Sequence, residues 1–104
     1  MTVNWTDAAA LADLWDGAGT SVLVNGRDIA LFRLGDAVYA TDNLCTHGHA
    51  RLCDGFVEGT EIECPLHQGR FDLRTGAATC APAVDAVKTY PVRIDAGRVS
   101  VSID

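Results

Sequence analysis

The chain has 104 residues, 48% of them hydrophobic and 21% charged, and carries a formal net charge of −6 at pH 7. That length suits one domain, residues 1–104, with a modest core that buries roughly two-thirds of the unfolded surface. The acidic residues are spread along the chain, which argues against nucleic acid as a partner, and no run approaches the roughly eighteen apolar residues of a membrane span.

The first residues, Met1-Thr2-Val3-Asn4-Trp5-Thr6-Asp7, lack both a basic region and an apolar secretory core. Export is therefore not expected, and the thiols are read as reduced in the cytoplasm. Residues 7–15 are the one helical candidate, of one or two turns, with Thr6 or Asp7 as its cap. The rest reads as short strands divided by turn signals. Residues 21–24 run into Asn25-Gly26, a strong hairpin signal. Residues 29–34 follow, then the turn Gly35-Asp36 and a strand over 37–41. Residues 55–58 and 61–63 form a small hairpin about Gly59-Thr60, and residues 69–72 a strand ending near Thr75-Gly76. Residues 87–94 and 98–103 close the chain as a hairpin about Ala96-Gly97. The pattern predicts an all-β antiparallel sandwich or barrel.

Two motifs interrupt these strands: Cys45-Thr46-His47 and Cys64-Pro65-Leu66-His67, with sixteen residues between His47 and Cys64. Each supplies one thiolate and one imidazole, and each lies just past a strand. Two loops at one end of a rigid scaffold would then share four ligands, Cys45, His47, Cys64 and His67. The alternatives are a structural zinc site or two unrelated Cys/His pairs. Zinc usually draws on tighter cysteine pairs. A mixed set of two cysteines and two histidines suits one [2Fe–2S] cluster, one iron taking both thiolates and the other both imidazoles.

Charge explains what such a set does. With two thiolates and two neutral imidazoles the oxidised site is neutral, and one electron makes it singly negative. An all-cysteine cluster is doubly negative before reduction, so the mixed site takes an electron more readily. Such centres span about −150 to +300 mV, against about −400 mV for plant-type ferredoxins. Here no cysteine follows His47 within its motif, and Leu66 rather than cysteine precedes His67, so no disulfide ties the loops at those positions. Few hydroxyls flank the second motif. Both absences predict a midpoint near the lower end of the range. The imidazoles couple the electron to a proton, so the midpoint falls once they titrate with rising pH.

The remaining chemistry-bearing residues are read as structural. Cys53 and Cys80 are expected to be small buried or half-buried thiols, and His49 a solvated loop residue. Trp5, Trp15, Phe32 and Phe71 are expected to serve packing rather than an electron path.

Around the ligands the chain resembles the Rieske-type [2Fe–2S] ferredoxin component of bacterial aromatic-ring-hydroxylating dioxygenase systems. The likeness lies in Tyr39-Ala40-Thr41-Asp42-Asn43-Leu44-Cys45-Thr46-His47-Gly48, in Asp54-Gly55 and Glu58-Gly59, and in residues 61–72 about the second motif. It continues through Thr75-Gly76, Cys80-Ala81-Pro82 and Lys88-Thr89-Tyr90-Pro91-Val92, and is similar most of all to the naphthalene-dioxygenase type. The resemblance implies a cluster-binding part over about 42–82, imidazoles facing solvent at one tip, and Pro82 in a third loop over the cluster. It implies a soluble, monomeric one-electron carrier, not an enzyme in itself. Electrons would arrive from a flavin-containing, NAD(P)H-dependent reductase and leave to a terminal Rieske oxygenase acting on naphthalene, related aromatics or salicylate. His49 and Cys53 depart from the usual first loop. A permanently held small subunit, as in assimilatory nitrite reductase, is the alternative for a domain of this kind.

Overall fold

The computed structural model describes residues 4–46, 50–66 and 68–103. Among them are eleven strands: β1 (Thr6–Ala10), β2 (Ala18–Val24), β3 (Arg27–Leu34), β4 (Ala37–Asp42), β5 (Phe56–Glu58), β6 (Glu61–Glu63), β7 (Arg70–Asp72), β8 (Ala78–Cys80), β9 (Thr89–Tyr90), β10 (Val92–Asp95) and β11 (Arg98–Val101). They form three antiparallel sheets, ordered β1-β11-β10, β2-β3-β4-β9 and β5-β6-β7-β8.

Turn chemistry accounts for the hairpins. Asn25 and Gly26 take φ of 51° and 79°, and Ala96 and Gly97 take 50° and 77°. Consecutive positive φ angles are the type I′ geometry whose twist matches the strands it joins. The middle of β3 is buried on both faces. Ile29 and Leu31 enter one core with Leu14, Val24, Val38, Ala40, Tyr90, Val99 and Val101. Ala30 and Phe32 enter another with Ala50, Leu52, Ile62, Phe71, Leu73, Ala83, Val87 and the two motif cysteines, Cys45 and Cys64. The unbroken apolar run 29–32 thus marks the strand shared by two layers, as expected for a strand covered on both sides.

Three expectations are corrected. The helix over 7–15 is absent. Residues 6–10 are β1, paired with β11 from Thr6↔Val101 to Ala10↔Arg98, and only Leu11–Asp13 makes a 3-10 turn. Alanine favours helix, but so short an isolated helix is marginal, and the free edge of β11 supplies a full ladder. The run 87–94 is two strands, because Pro91 has no N–H to give; β9 pairs with β4 and β10 with β11, in different sheets. Trp15 is exposed, at 78%. Leu14 is extended and turns into the core, so its neighbour points outward.

Candidate metal centre

The first loop leaves the end of β4. An isolated bridge pairs Leu44 with Arg51, and Cys45 N–H donates to the Ala50 carbonyl at 2.9 Å. The chain then makes a 3-10 turn, Leu52–Asp54, whose Leu52 is fully buried. The second loop is the β6–β7 hairpin, in which Cys64 N–H donates to the Gly69 carbonyl at 2.7 Å. Gln68 turns the chain back with a φ of 62°. The third loop follows β8 and contains a cis Ala81–Pro82 bond.

Three contacts bind these loops together. Thr46 Oγ1 donates to the Asp85 carbonyl at 2.8 Å, tying the first loop to the third. Gly69 lies so close to Ala83 that an added Cβ would stand 3.0 Å from the Ala83 Cβ and 3.1 Å from its nitrogen, which joins the second to the third. Cys45 and Cys64 themselves join the first to the second: both are buried, and their sulfurs share a hydrogen bond. Burial first of all, and then the Cys45 sulfur, push the Cys64 thiol up to about 11, against the pull of the Leu66 N–H, which donates to the Cys64 sulfur. Two desolvated thiols held face to face are poor company for each other and good ligands for a metal that displaces their protons. None of the four cysteines is in a disulfide, so these two are not one.

His47, His67 and His49 lie outside the described residues. The described residues bring no three His, Cys, Asp or Glu side chains together as a metal site; what they contribute is the thiol pair. The pair fits the two-cysteine side of an iron–sulfur cluster, with one backbone N–H already directed at sulfur. Cys53 is half-buried beside Asp54, as expected of a structural thiol, whereas Cys80 is exposed at the end of edge strand β8. Trp5 is half-buried under the Arg93 guanidinium, and Phe32 and Phe71 are fully buried in the core beneath the loops. Sequence reading gives no role of its own to Asn43, the fully buried polar residue two positions before Cys45. Its signal, Asn just after a strand and before a metal motif, was present in the chain.

The family model of the Rieske [2Fe-2S] domain matches residues 4–91. The chain belongs to the Rieske family. One Rieske-type [2Fe–2S] cluster is its cofactor. This Rieske chain is 57% identical over 104 residues, all of both chains, to the ferredoxin component of the naphthalene 1,2-dioxygenase/salicylate 5-hydroxylase systems of a Ralstonia species. Its fold is similar to the ferredoxin of carbazole 1,9a-dioxygenase from Nocardioides aromaticivorans IC177. That match has a TM-score of 0.93 and 42% identity and covers 97% of this chain and 99% of that one. It is also similar to the ferredoxin in a complex of reduced oxygenase and oxidised ferredoxin in carbazole 1,9a-dioxygenase. There the TM-score is 0.88 with 34% identity, over 97% of this chain and 94% of the other. Among the described residues of the Rieske domain no helix is long and apolar enough to cross a membrane.

Proposed function

We propose that this chain is a one-electron carrier of an aromatic-ring dioxygenase system of the naphthalene or salicylate type. The supporting observation is the buried Cys45–Cys64 pair at the meeting of two loops, in a chain 57% identical to a ferredoxin component of such a system. Cys45 and Cys64 would ligate one iron, and His47 and His67 the other. A cluster bound there supplies one reversible electron. The protein's part is to bury the thiolates, direct the Leu66 N–H at sulfur and keep the loops in register through Thr46, Gly69 and Ala83. The Thr46 hydroxyl donates to Asp85 rather than to sulfur, and no disulfide binds the loops, which supports a low midpoint.

Residues 1–104 serve as one domain in this reading, a cytoplasmic monomer whose partners are a flavin-containing reductase and a terminal Rieske oxygenase. Leu44, Leu66 and Val84 stand 58%, 48% and 79% exposed on the three loops, with Pro82 exposed beside them. Exposed apolar side chains on the three loops suit brief docking, since a carrier must leave as readily as it arrives.

The test is reconstitution. Purified anaerobically, the protein should be brown, elute as a monomer and hold about two irons per chain. With a flavoprotein reductase, NAD(P)H and a naphthalene-type oxygenase it should sustain product formation that stops when it is left out. Turnover at the same rate without it would overturn the reading. Protein-film voltammetry should find a midpoint near the low end of the range, about −150 mV.

A further inference from the structure

Asn43 is fully buried, and all of its polar groups are engaged. Its backbone N–H donates to the Asp28 carbonyl at 3.2 Å, and its carbonyl accepts the Leu52 N–H at 2.6 Å. Its side-chain Nδ2 donates to both carboxylate oxygens of Asp28, at 3.1 and 3.2 Å. Its Oδ1 accepts the Cys53 N–H at 2.9 Å. One residue thus joins the start of β3, the approach to the first loop and the 3-10 turn on the loop's far side.

An amide buried this deeply is unfavourable unless it is paired, and an apolar side chain of similar volume would fill the space without that penalty. What the amide adds is direction. Leu52 and Cys53 follow the loop, and Asn43 and Leu44 precede it, so the Asn43 bonds fix the separation and rotation of the loop's two ends. The Asp28 carboxylate accepts only donors, so it keeps Nδ2 on its own side and Oδ1 toward Cys53. Cys45 is the second residue past this clamp, and its sulfur must meet that of Cys64.

We propose that Asn43 is the positioning residue of the first cluster loop, oriented by Asp28, and that it sets how the Cys45 sulfur is presented to the cluster. The inference rests on the cluster reading above. A wild-type protein without iron would defeat that reading, whereas variants of a loaded wild type test Asn43.

Three variants of the iron-loaded full chain carry the test: N43D, D28A and the swapped pair N43D/D28N. In N43D two carboxylates face each other. In the swapped pair an amide at 28 again donates to a carboxylate at 43, which still accepts the Cys53 N–H. Iron release to a chelator should be roughly tenfold faster in N43D and several-fold faster in D28A, with altered electron paramagnetic resonance g-values in both. The swapped pair should return to within about twofold of wild type on the same clamp geometry. Asp28 is exposed, so D28A folds and is informative even if N43D does not. The proposal is overturned if D28A keeps the wild-type release rate and spectrum, or if the swapped pair is no better than N43D. It is equally overturned if the variants lose only thermal stability while their spectra and midpoints stay wild type.

Discussion

At the scale of single residues, the four cysteines divide by environment. Cys45 and Cys64 are buried and in contact, Cys53 is half-buried, and Cys80 is exposed. Cys45→Ala or Cys64→Ala should each abolish the brown colour and bound iron, whereas Cys53→Ala and Cys80→Ala should keep both. Iron and acid-labile sulfide per chain, alongside far-ultraviolet circular dichroism, check this. Glycine has an equally local role at position 55, where an added Cβ would stand 2.1 Å from the Glu63 carbonyl oxygen. That oxygen is backbone in β6, one residue before Cys64, and has no room to retreat. Gly55→Ala should therefore destabilise the fold by about 2 kcal/mol or more, seen as a lowered urea midpoint.

At the scale of elements, the loops depend on what lies beneath them. The 3-10 turn Leu52–Asp54 closes the first loop, and Leu52 anchors it in the core with Phe32, Ile62 and Phe71. Leu52→Ala should cost about 2–5 kcal/mol and speed cluster loss, measured by chemical denaturation and by bleaching in air. The hairpin carrying the second loop is held differently. Arg70 on β7 reaches Glu58 and Glu63 at 3.2 and 3.0 Å, and Glu61 at 3.6 Å, across the solvent face of β5 and β6. These pairs are partly exposed and screened, so Arg70→Met should lower the urea midpoint far less than Leu52→Ala does. The same urea titration distinguishes the two substitutions. Hairpins of this kind were legible because their turns are local: Asn25-Gly26 and Ala96-Gly97 carry their own geometry. β1 was not, because its alanines favour helix until a partner edge is offered, and β11 lies some ninety residues away.

At the scale of the whole molecule, Tyr90 fastens the end of the middle sheet. Its hydroxyl donates to Asp42 and accepts from Arg27 at 3.3 Å, joining β9, β4 and β3. Burial first, and then the Asp42 carboxylate, raise this phenol above its ordinary 10.0, with Arg27 working against them. The unfolded chain therefore loses the proton at a lower pH than the folded one. Between those two pH values the folded state holds more protons, so this contribution is complete below about pH 10 and declines as pH rises toward the folded value. Thermal midpoints measured from about pH 8 to about pH 11 should fall more steeply in the wild type than in Tyr90→Phe. Charge acts over the same distance scale. With a net charge of −6, reduction by a partner reductase should slow as salt is raised, a dependence stopped-flow kinetics can read.

The sequence by itself determined the hairpin turns and supplied the two Cys/His motifs from which the ligand set and its neutral oxidised charge are proposed. These depend on residue chemistry and on dihedral preferences within a few positions. Only the tertiary structure decided that Cys45 and Cys64, nineteen residues apart, lie sulfur to sulfur, that Gly69 packs on Ala83, and that Pro91 divides one run between two sheets. It alone revealed that Asn43 clamps the first loop to Asp28 and Cys53. Each of these is a long-range juxtaposition set by strand register and layer packing, and no local pattern of residues encodes which distant partner a buried polar group will meet.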